Sequence, residues 1–321
     1  MADFTWGGSI PHHPVLYNEV LDALQPRRGA RYVDGTVGAG GHAWGILQTS
    51  SPDGLLLGMD LDPFALELSD ERLSAFEQRA ILVRASYASL MEQIGMVGWD
   101  GVDGILLDLG VSSMQLDTPE RGFSFQADAP LDMRFDPAAQ KSAADLVNSL
   151  PEQEIADLIY RYGEERLARK IAREIVRSRP VHTTRHLADL VCRVYGPTKK
   201  KRLHPATLTF QALRIAVNRE LQALESFLPQ AVTALTGGGR LAVIAYHSLE
   251  DRIVKQFLHR ENQDCICPPV QPVCTCGHKA TVALVTRRPL VAQDEEIKAN
   301  PRARSARLRV AEKLWERAQV G

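Results

Sequence analysis

Tyr32-Val-Asp-Gly-Thr-Val-Gly-Ala-Gly-Gly-His42 is the stretch from which the fold of this 321-residue chain can be read. The run at 30–33 has strand character and ends in a carboxylate, Asp34. Four glycines follow (Gly35, Gly38, Gly40 and Gly41), and helix-like sequence begins at about His42. A second apolar run at 55–59 ends in Asp60, 26 residues after Asp34. Strand, glycine loop, helix, strand and acid make a βαβ nucleotide-binding unit. Gly38-Ala-Gly-Gly-His-Ala43 also fits the loose dinucleotide pattern, which by itself does not choose the ligand. The acid ahead of the loop is more telling. A dinucleotide sets two phosphates against the glycines, where Asp34 would repel them. S-adenosylmethionine has no phosphate and carries an ammonium and a sulfonium, which suit an acidic strand end. Asp60 is then placed for the ribose hydroxyls. A purely structural reading has Asp34 capping the turn and the glycines supplying positive φ angles.

Outward from this unit the alternation continues. Strands are predicted at 31–34, 55–60, 80–84 and 104–109, and helices at 15–24, 42–48, 63–78 and 87–94. Pro63 sits at a helix's first turn, where its missing N–H costs nothing. Such alternation predicts a mainly parallel, doubly wound α/β sheet. From about 142 to 195 strands vanish, and 164–177 places Leu167, Ile171 and Ile175 on one helical face. Sheet-like sequence returns at 240–245, after a loop of Gly237, Gly238 and Gly239, and again at 281–286 and 306–310. The stretch 206–228 reads as one long helix leading back to the sheet. The expected organisation is an α/β domain over 1–136 and 208–321, interrupted by a helical, basic insertion at 137–207.

Bulk composition excludes several classes. No apolar run approaches the roughly 20 residues of a membrane span, and residues 1–14 lack the pattern of a secretory signal. Five cysteines, four of them clustered, do not make a disulfide framework for a chain this long, so a reducing cytoplasm and no membrane partner are expected. Near-balance of 38 Lys/Arg against 39 Asp/Glu hides an asymmetry. Residues 160–219 hold fifteen Lys/Arg against four Asp/Glu, with Lys199, Lys200, Lys201 and Arg202 at the centre. A basic segment in a balanced protein points to a polyanion, most simply nucleic acid; the plainer reading is a solvated helical face.

A third strand also ends in an acid: Ile105-Leu-Leu-Asp108, followed by Leu-Gly-Val-Ser-Ser113. Ligands of open α/β sheets bind beyond the carboxyl ends of the strands near the switch point. Asp34, Asp60 and Asp108 are therefore expected to rim one pocket, which disfavours a nicotinamide dinucleotide. Tyr87, just after the predicted strand 80–84, is placed either to stack on an adenine or to fill the core.

Further motifs follow in order. They are Arg121-Gly-Phe-Ser-Phe125, Pro130-Leu-Asp-Met-Arg134, Tyr162-Gly-Glu-Glu-Arg166 and His204-Pro-Ala-Thr207, then Phe210-Gln-Ala-Leu-Arg-Ile215, His247-Ser-Leu-Glu-Asp-Arg-Ile-Val-Lys255 and Asn300-Pro-Arg-Ala-Arg-Ser305. With the glycine loop and the strand ending in Asp108, they resemble the bacterial RsmH (MraW) family over about 12–312. The resemblance implies a class I, Rossmann-like methyltransferase with an inserted helical domain. It implies transfer of a methyl group from S-adenosylmethionine to the exocyclic N(4) amine of a cytidine in the decoding region of 16S ribosomal RNA, within the small subunit. By position, Gly38, Gly40, Gly41, His42, Asp60, Tyr87, Asp108 and Gln115 would line the cofactor. Tyr87 departs from the family's common phenylalanine and Met114 from its frequent proline.

The chemistry asks for in-line alignment of a poorly nucleophilic amine. Asp108 is the first candidate for orienting the amine or the cofactor's methionine part, with Ser112 and Ser113 assisting. His247 follows a predicted strand and is a candidate for bonding the target base, although Ser248, Glu250 and Asp251 read locally as a helix cap with acids in the first turn. Asp132 and Arg134 suit either a structural ion pair or an RNA contact. A base in structured RNA must leave its stack to be modified, and Lys199–Arg202 with Arg302, Arg304, Arg307 and Arg309 are the expected phosphate contacts. Cys265, Cys267, Cys274 and Cys276, with His278 beyond, suit a structural zinc ion or a set of reduced thiols. Alternatives are amine methylation of another RNA or DNA, and a non-catalytic ribosome assembly factor retaining the pocket.

Overall fold

The computed structural model of the protein describes residues 14–196, 204–268, 271 and 273–315. The chain divides into two compact units, Met1–Gly110 with Ala223–Gly321, and Val111–Gln222. In chain order the first unit opens with α1 (Tyr17–Leu24), β1 (Arg31–Asp34), α2 (Gly41–Thr49), β2 (Leu55–Asp60), α3 (Pro63–Leu73), β3 (Ala80–Arg84), α4 (Leu90–Met96) and β4 (Val102–Asp108). Then come α5 (Ser113–Asp117), α6 (Ala143–Ser149), α7 (Glu152–Gly163), α8 (Ala168–Arg177), α9 (Thr184–Tyr195) and α10 (Thr207–Asn218). The chain returns through α11 (Glu220–Ala234), β5 (Leu235–Ala245), α12 (Ser248–Glu261), β6 (Val282–Leu284), α13 (Asp294–Ala299) and β7 (Arg307–Lys313).

The described strands form one sheet of order β3-β2-β1-β4-β5-β7-β6. Strands β1 to β5 run parallel, and β7 is antiparallel to both its neighbours. This is the mainly parallel, doubly wound sheet that the sequence predicts. The middles of its central strands, such as 105–107 and 241–245, are apolar because both faces are covered. Leu57, Ile105, Leu107, Leu241 and Val243 enter one core with residues of α4, α11 and α12, while Leu56, Leu106, Ala242 and Ile244 enter the other with residues of α1 and α2. Alternate residues serve opposite faces, as the two-residue period of a strand demands. Truncating Leu57 or Leu106, both fully buried, to alanine costs about 2–5 kcal/mol. The strand order reverses between β1 and β4, which puts the switch point where Asp34 and Asp108 end their strands.

Three sequence expectations need correction. Gly237–Gly239 are not a loop before β5 but lie inside it. Between the pairs Val102–Leu235 and Gly104–Arg240, β5 advances five residues while β4 advances two, a bulge. The Trp315 ring lies so close that a Cβ on Gly237 would sit 2.5 Å from it. The long helix expected at 206–228 is two helices, broken at Arg219, which adopts a left-handed conformation (φ 52°). Arg214 and Glu220 pair bidentately across the break (2.9 and 2.9 Å), and the Asn218 side chain holds the Phe135 N–H and the Met133 carbonyl. The second unit also begins earlier and ends later than 137–207. Phe123, Leu131 and Met133 are buried in its core with Ile155, Ile171 and Leu213, so the segment before 137 packs with the helices. Among the described residues no helix is long and apolar enough to cross a membrane.

Candidate active site

The glycine loop is anchored at both the N–H and the carbonyl of Gly38. Asp60 Oδ2 accepts the Gly38 N–H (3.0 Å) and Oδ1 accepts that of Asp62 (2.9 Å), so the acid ending β2 shapes the loop as well as edging it. The Ser69 hydroxyl of α3 donates to the Gly38 carbonyl (2.6 Å). Gly38 and Gly40 take positive φ, 53° and 75°, which a side chain would strain. Gly35 is needed for room: a Cβ there would lie 3.0 Å from Leu107 and 3.2 Å from the Cβ of Tyr87. Tyr87 itself packs edge-on against Phe227 (5.5 Å, 85°), so its ring is fixed by the core beside the loop.

Thr36 was not singled out in the sequence, yet it joins two of the three acids. Its N–H donates to Asp34 Oδ1 (3.1 Å), and its hydroxyl oxygen accepts the Asp108 N–H (2.7 Å). Its role depends on β1 and β4 being neighbours, which no local pattern reveals. The carboxyls are held where charge is unfavourable. Burial pushes Asp34 up to about 8 against the Thr36 hydrogen bond, and the charges of Asp108 and Asp60 add to the rise. Asp60 is also raised, chiefly by burial. Burial pushes Asp108 up to about 7, opposed by a hydrogen bond from Tyr246 and aided by the charge of Glu250.

Tyr246 is the second residue missed in the sequence. It directly follows β5, whose parallel neighbour is β4, and its hydroxyl donates to Asp108 Oδ1 (2.9 Å). Its own ionisation is pushed well up by burial and by Asp108, so it stays a donor. Asp108 Oδ2 lies 3.7 Å from His42 Nε2. His42 is buried, which pulls its pKa down to about 4 against a weaker effect of the Val15 backbone. The imidazole is therefore neutral at physiological pH, and its contact with Asp108 is not an ion pair. Neither of its ring nitrogens has a well-formed hydrogen bond, a condition that buried polar groups seldom keep without a ligand or water. Three carboxyls short of positive charge, a neutral imidazole short of partners and an aromatic ring beside the loop fit a cationic nucleoside that brings no phosphate.

Other predicted residues have structural tasks. Ser112 caps α5: its hydroxyl accepts the Gln115 N–H (3.2 Å), and Gln115 Oε1 accepts the Ser112 N–H (3.1 Å). Ser113 is the first residue of that helix. The cap of α12 is His247, not Ser248 as expected. His247 Nδ1 accepts the Glu250 N–H (3.4 Å), while Glu250 Oε2 accepts the N–H groups of Tyr246 (2.9 Å) and His247 (3.3 Å). Arg134 grips Asp132 bidentately (2.9 and 2.7 Å) and the Ala139 carbonyl (2.7 Å), which is the structural pair. Arg309 is buried and bound to Asp251 (2.7 Å), and Arg307 reaches the same carboxylate (3.3 Å), so Arg309 is not a phosphate contact. Arg302 and Arg304 stand in the short turn Pro301–Ser305, with Arg304 exposed. Lys199, Lys200, Lys201 and Arg202 lie outside the described residues. The sulfurs of Cys265, Cys267, Cys274 and Cys276 converge within 4.8 Å of one another.

The chain is similar to known proteins over nearly its whole length. A family model described as the MraW methylase family matches residues 9–314. A protein named ribosomal RNA small subunit methyltransferase H from Dehalococcoides mccartyi is 52% identical over 304 residues, 95% of this chain and 87% of that one. Proteins of the same name from Syntrophotalea carbinolica (53% identical; 94% of this chain, 98% of the relative) and Geobacter sulfurreducens (52%; 95% and 100%) match as fully. The match runs through the glycine loop, the acid-ended strands and the helical unit alike, and the chain belongs to the MraW methylase family.

Proposed function

We propose that this protein methylates ribosomal RNA of the small subunit, using S-adenosylmethionine, and that the acceptor is the N(4) amine of a cytidine in the decoding region of 16S ribosomal RNA. The relatives' names support the RNA and the subunit, and the motif resemblance supports the position. The observation that carries the cofactor is the set of raised carboxyls, Asp34, Asp60 and Asp108, at adjacent strand ends. Burial holds them toward the neutral form, and a cationic ligand would return them to carboxylates.

When bound, S-adenosylmethionine supplies an electrophilic methyl group on a sulfonium. Gly38, Gly40, Gly41 and His42 would meet it at the loop, Asp60 at its ribose and Tyr87 at its adenine, and the family resemblance adds Gln115. Asp108 is the residue we assign to the reaction. Tyr246 fixes Oδ1, and to the second oxygen we assign a hydrogen bond accepted from the cytosine amine, which would direct the nitrogen lone pair at the methyl carbon. Ser112 and His247 bear on the reaction through the helix ends they cap, and Ser113 as the first residue of α5. Lys199–Arg202, Arg302 and Arg304 contact phosphates, and the second unit recognises RNA. Asp132 and Arg134 hold a loop of that unit.

The test is direct. Purified protein is incubated with radiolabelled S-adenosylmethionine and either naked 16S RNA or small subunits from a strain lacking the enzyme, and digested nucleosides are resolved by mass spectrometry. N(4)-methylcytidine at one decoding-region position is the expected product. Its absence with every substrate sinks the activity, while label in another nucleoside moves the acceptor.

A further inference from the structure

The loop joining α12 to β6 has an unusual construction. None of its described residues from Asn262 to Ala280 is buried, and Val273 is 69% exposed. The described residues of this segment form no apolar core that would define its path. Four thiols converge there all the same. Cys265 Sγ lies 3.4 Å from Cys274 Sγ and 3.8 Å from Cys276 Sγ, and Cys274 Sγ lies 3.6 Å from Cys276 Sγ. A disulfide would need one pair at about 2.05 Å. Sulfurs about 2.3 Å from a central zinc ion stand about 3.8 Å apart in a tetrahedron, close to the separations seen.

Backbone donors complete the pattern. The N–H of Ile266, between the first two cysteines, points at Cys276 Sγ (3.4 Å), and that of Thr275, between the last two, points at Cys267 Sγ (3.4 Å). Each Cys-x-Cys turn thus gives its middle amide to a sulfur of the other turn. The Cys267 N–H adds a third such contact, to Cys265 Sγ (3.5 Å). Amides directed at sulfur stabilise thiolate, the form that binds metal. His278 is not a fifth donor, because its Nε2 meets the Arg260 carbonyl (3.0 Å) at the end of α12.

We propose that Cys265, Cys267, Cys274 and Cys276 form a structural site for one thiophilic divalent ion, zinc foremost, that folds this loop and closes the end of α12. Reciprocal amide contacts and near-tetrahedral spacing favour zinc over other ions that prefer oxygen or open coordination. The base of the loop is tied where such an ion would act. The Thr281 N–H donates to the Glu261 carbonyl (2.8 Å) and its hydroxyl to the Glu261 carboxylate (2.8 Å).

The full-length protein, purified under reducing conditions without added metal or chelator, is assayed for metal by inductively coupled plasma mass spectrometry. One zinc ion per chain is expected, released in step with modification of four thiols by an organomercurial. Cys274→Ser with Cys276→Ser should hold less than a tenth of an ion, while Cys192→Ser keeps the full amount. Hydrogen exchange on the native protein gives a readout independent of the variants: removing the ion should deprotect the amides of Ile266 and Thr275 and leave those of β4 unchanged. A metal-free protein that also gives no tetrahedral thiolate spectrum with cobalt(II) overturns the proposal, as does a mass showing the four cysteines paired in disulfides.

Discussion

The strand-end acids and the four-thiol loop belong to the same compact unit and are built by opposite means. Asp34 and Asp108 end strands whose alternate residues fill two cores, so their positions are set before any ligand arrives. That rigidity holds carboxyls in places where burial resists their charge. The loop from Cys265 to Cys276 has no buried side chain among its described residues, and only its polar contacts define it. At the strand ends the fold comes first and prepares a site for a cation. In the loop, on our reading, the ligand comes first and the fold follows, as in other small metal-organised segments.

The largest effect should come from breaking the prepared site. Asp108→Asn keeps the shape of the side chain and loses its charge. Methyl transfer should fall about 100- to 1,000-fold, the range of a group acting in the transition state. The dissociation constant for S-adenosylmethionine should change less than about tenfold, and the melting temperature should not drop, because the carboxyl removed is one that burial disfavours. Filter assays of labelled RNA and calorimetric titration give the two numbers. A variant that binds the cofactor weakly yet transfers at the normal rate when saturated would show that Asp108 serves binding alone.

A smaller effect tests whether the site reads charge. Asp34 ionises near 8 in the fold against 3.8 ordinarily, so between those values the ligand-free protein keeps a proton that the unfolded chain has released. The stability of the ligand-free protein therefore falls as pH rises through that window. A cationic ligand favours the ionised acids, and its binding expels protons. Affinity for S-adenosylmethionine should climb from pH 6 to 8, by up to about tenfold per pH unit for each proton released, and level off above. S-adenosylhomocysteine, whose sulfur is uncharged, should show the shallower climb, and Asp34→Asn should flatten the upper part for both. Parallel slopes for the two ligands would mean that the acids do not sense the sulfonium.

The acids were legible in the sequence because each ends a strand-like run and needs no partner to be recognised. Their supports were not. Thr36 and Tyr246 matter because β1, β4 and β5 lie side by side, and that order is a property of the sheet and not of any one strand. The break at Arg219 escaped detection because it carries no glycine or proline. It rests on contacts of Asn218 with residues more than eighty positions away. In the same way, Phe123 to Met133 reveal their allegiance to the second unit only through its core. The cysteine cluster was visible as spacing, but its crossed amide contacts required the folded loop.

Tyr246→Phe sharpens the comparison by loosening a prepared residue without removing it. The Tyr246 hydroxyl holds the Asp108 pKa down, so its loss should raise that pKa. The acid limb of the pH–rate profile should move to higher pH, with a fall of about tenfold or less at the optimum. Cofactor affinity above pH 8 should stay within about threefold. A uniform loss across pH, with no shift of the limb, would assign Tyr246 to packing and not to tuning Asp108.

The smallest effect lies at His247, where support and chemistry meet in one side chain. As the cap of α12 it uses Nδ1 to accept the Glu250 N–H, and removing such a cap costs about 1 kcal/mol. His247→Ala should therefore lower the melting temperature by a few degrees. His247→Asn offers another good cap and should restore most of that stability. The transfer rate of the asparagine variant then separates the two roles. Because the imidazole is anchored at Nδ1 and lies 3.0 Å from Glu250 through Nε2, we expect the rate to recover with the stability, to within about threefold of the parent. A stable asparagine variant that remains ten times slower or more would instead place the His247 ring against the target base.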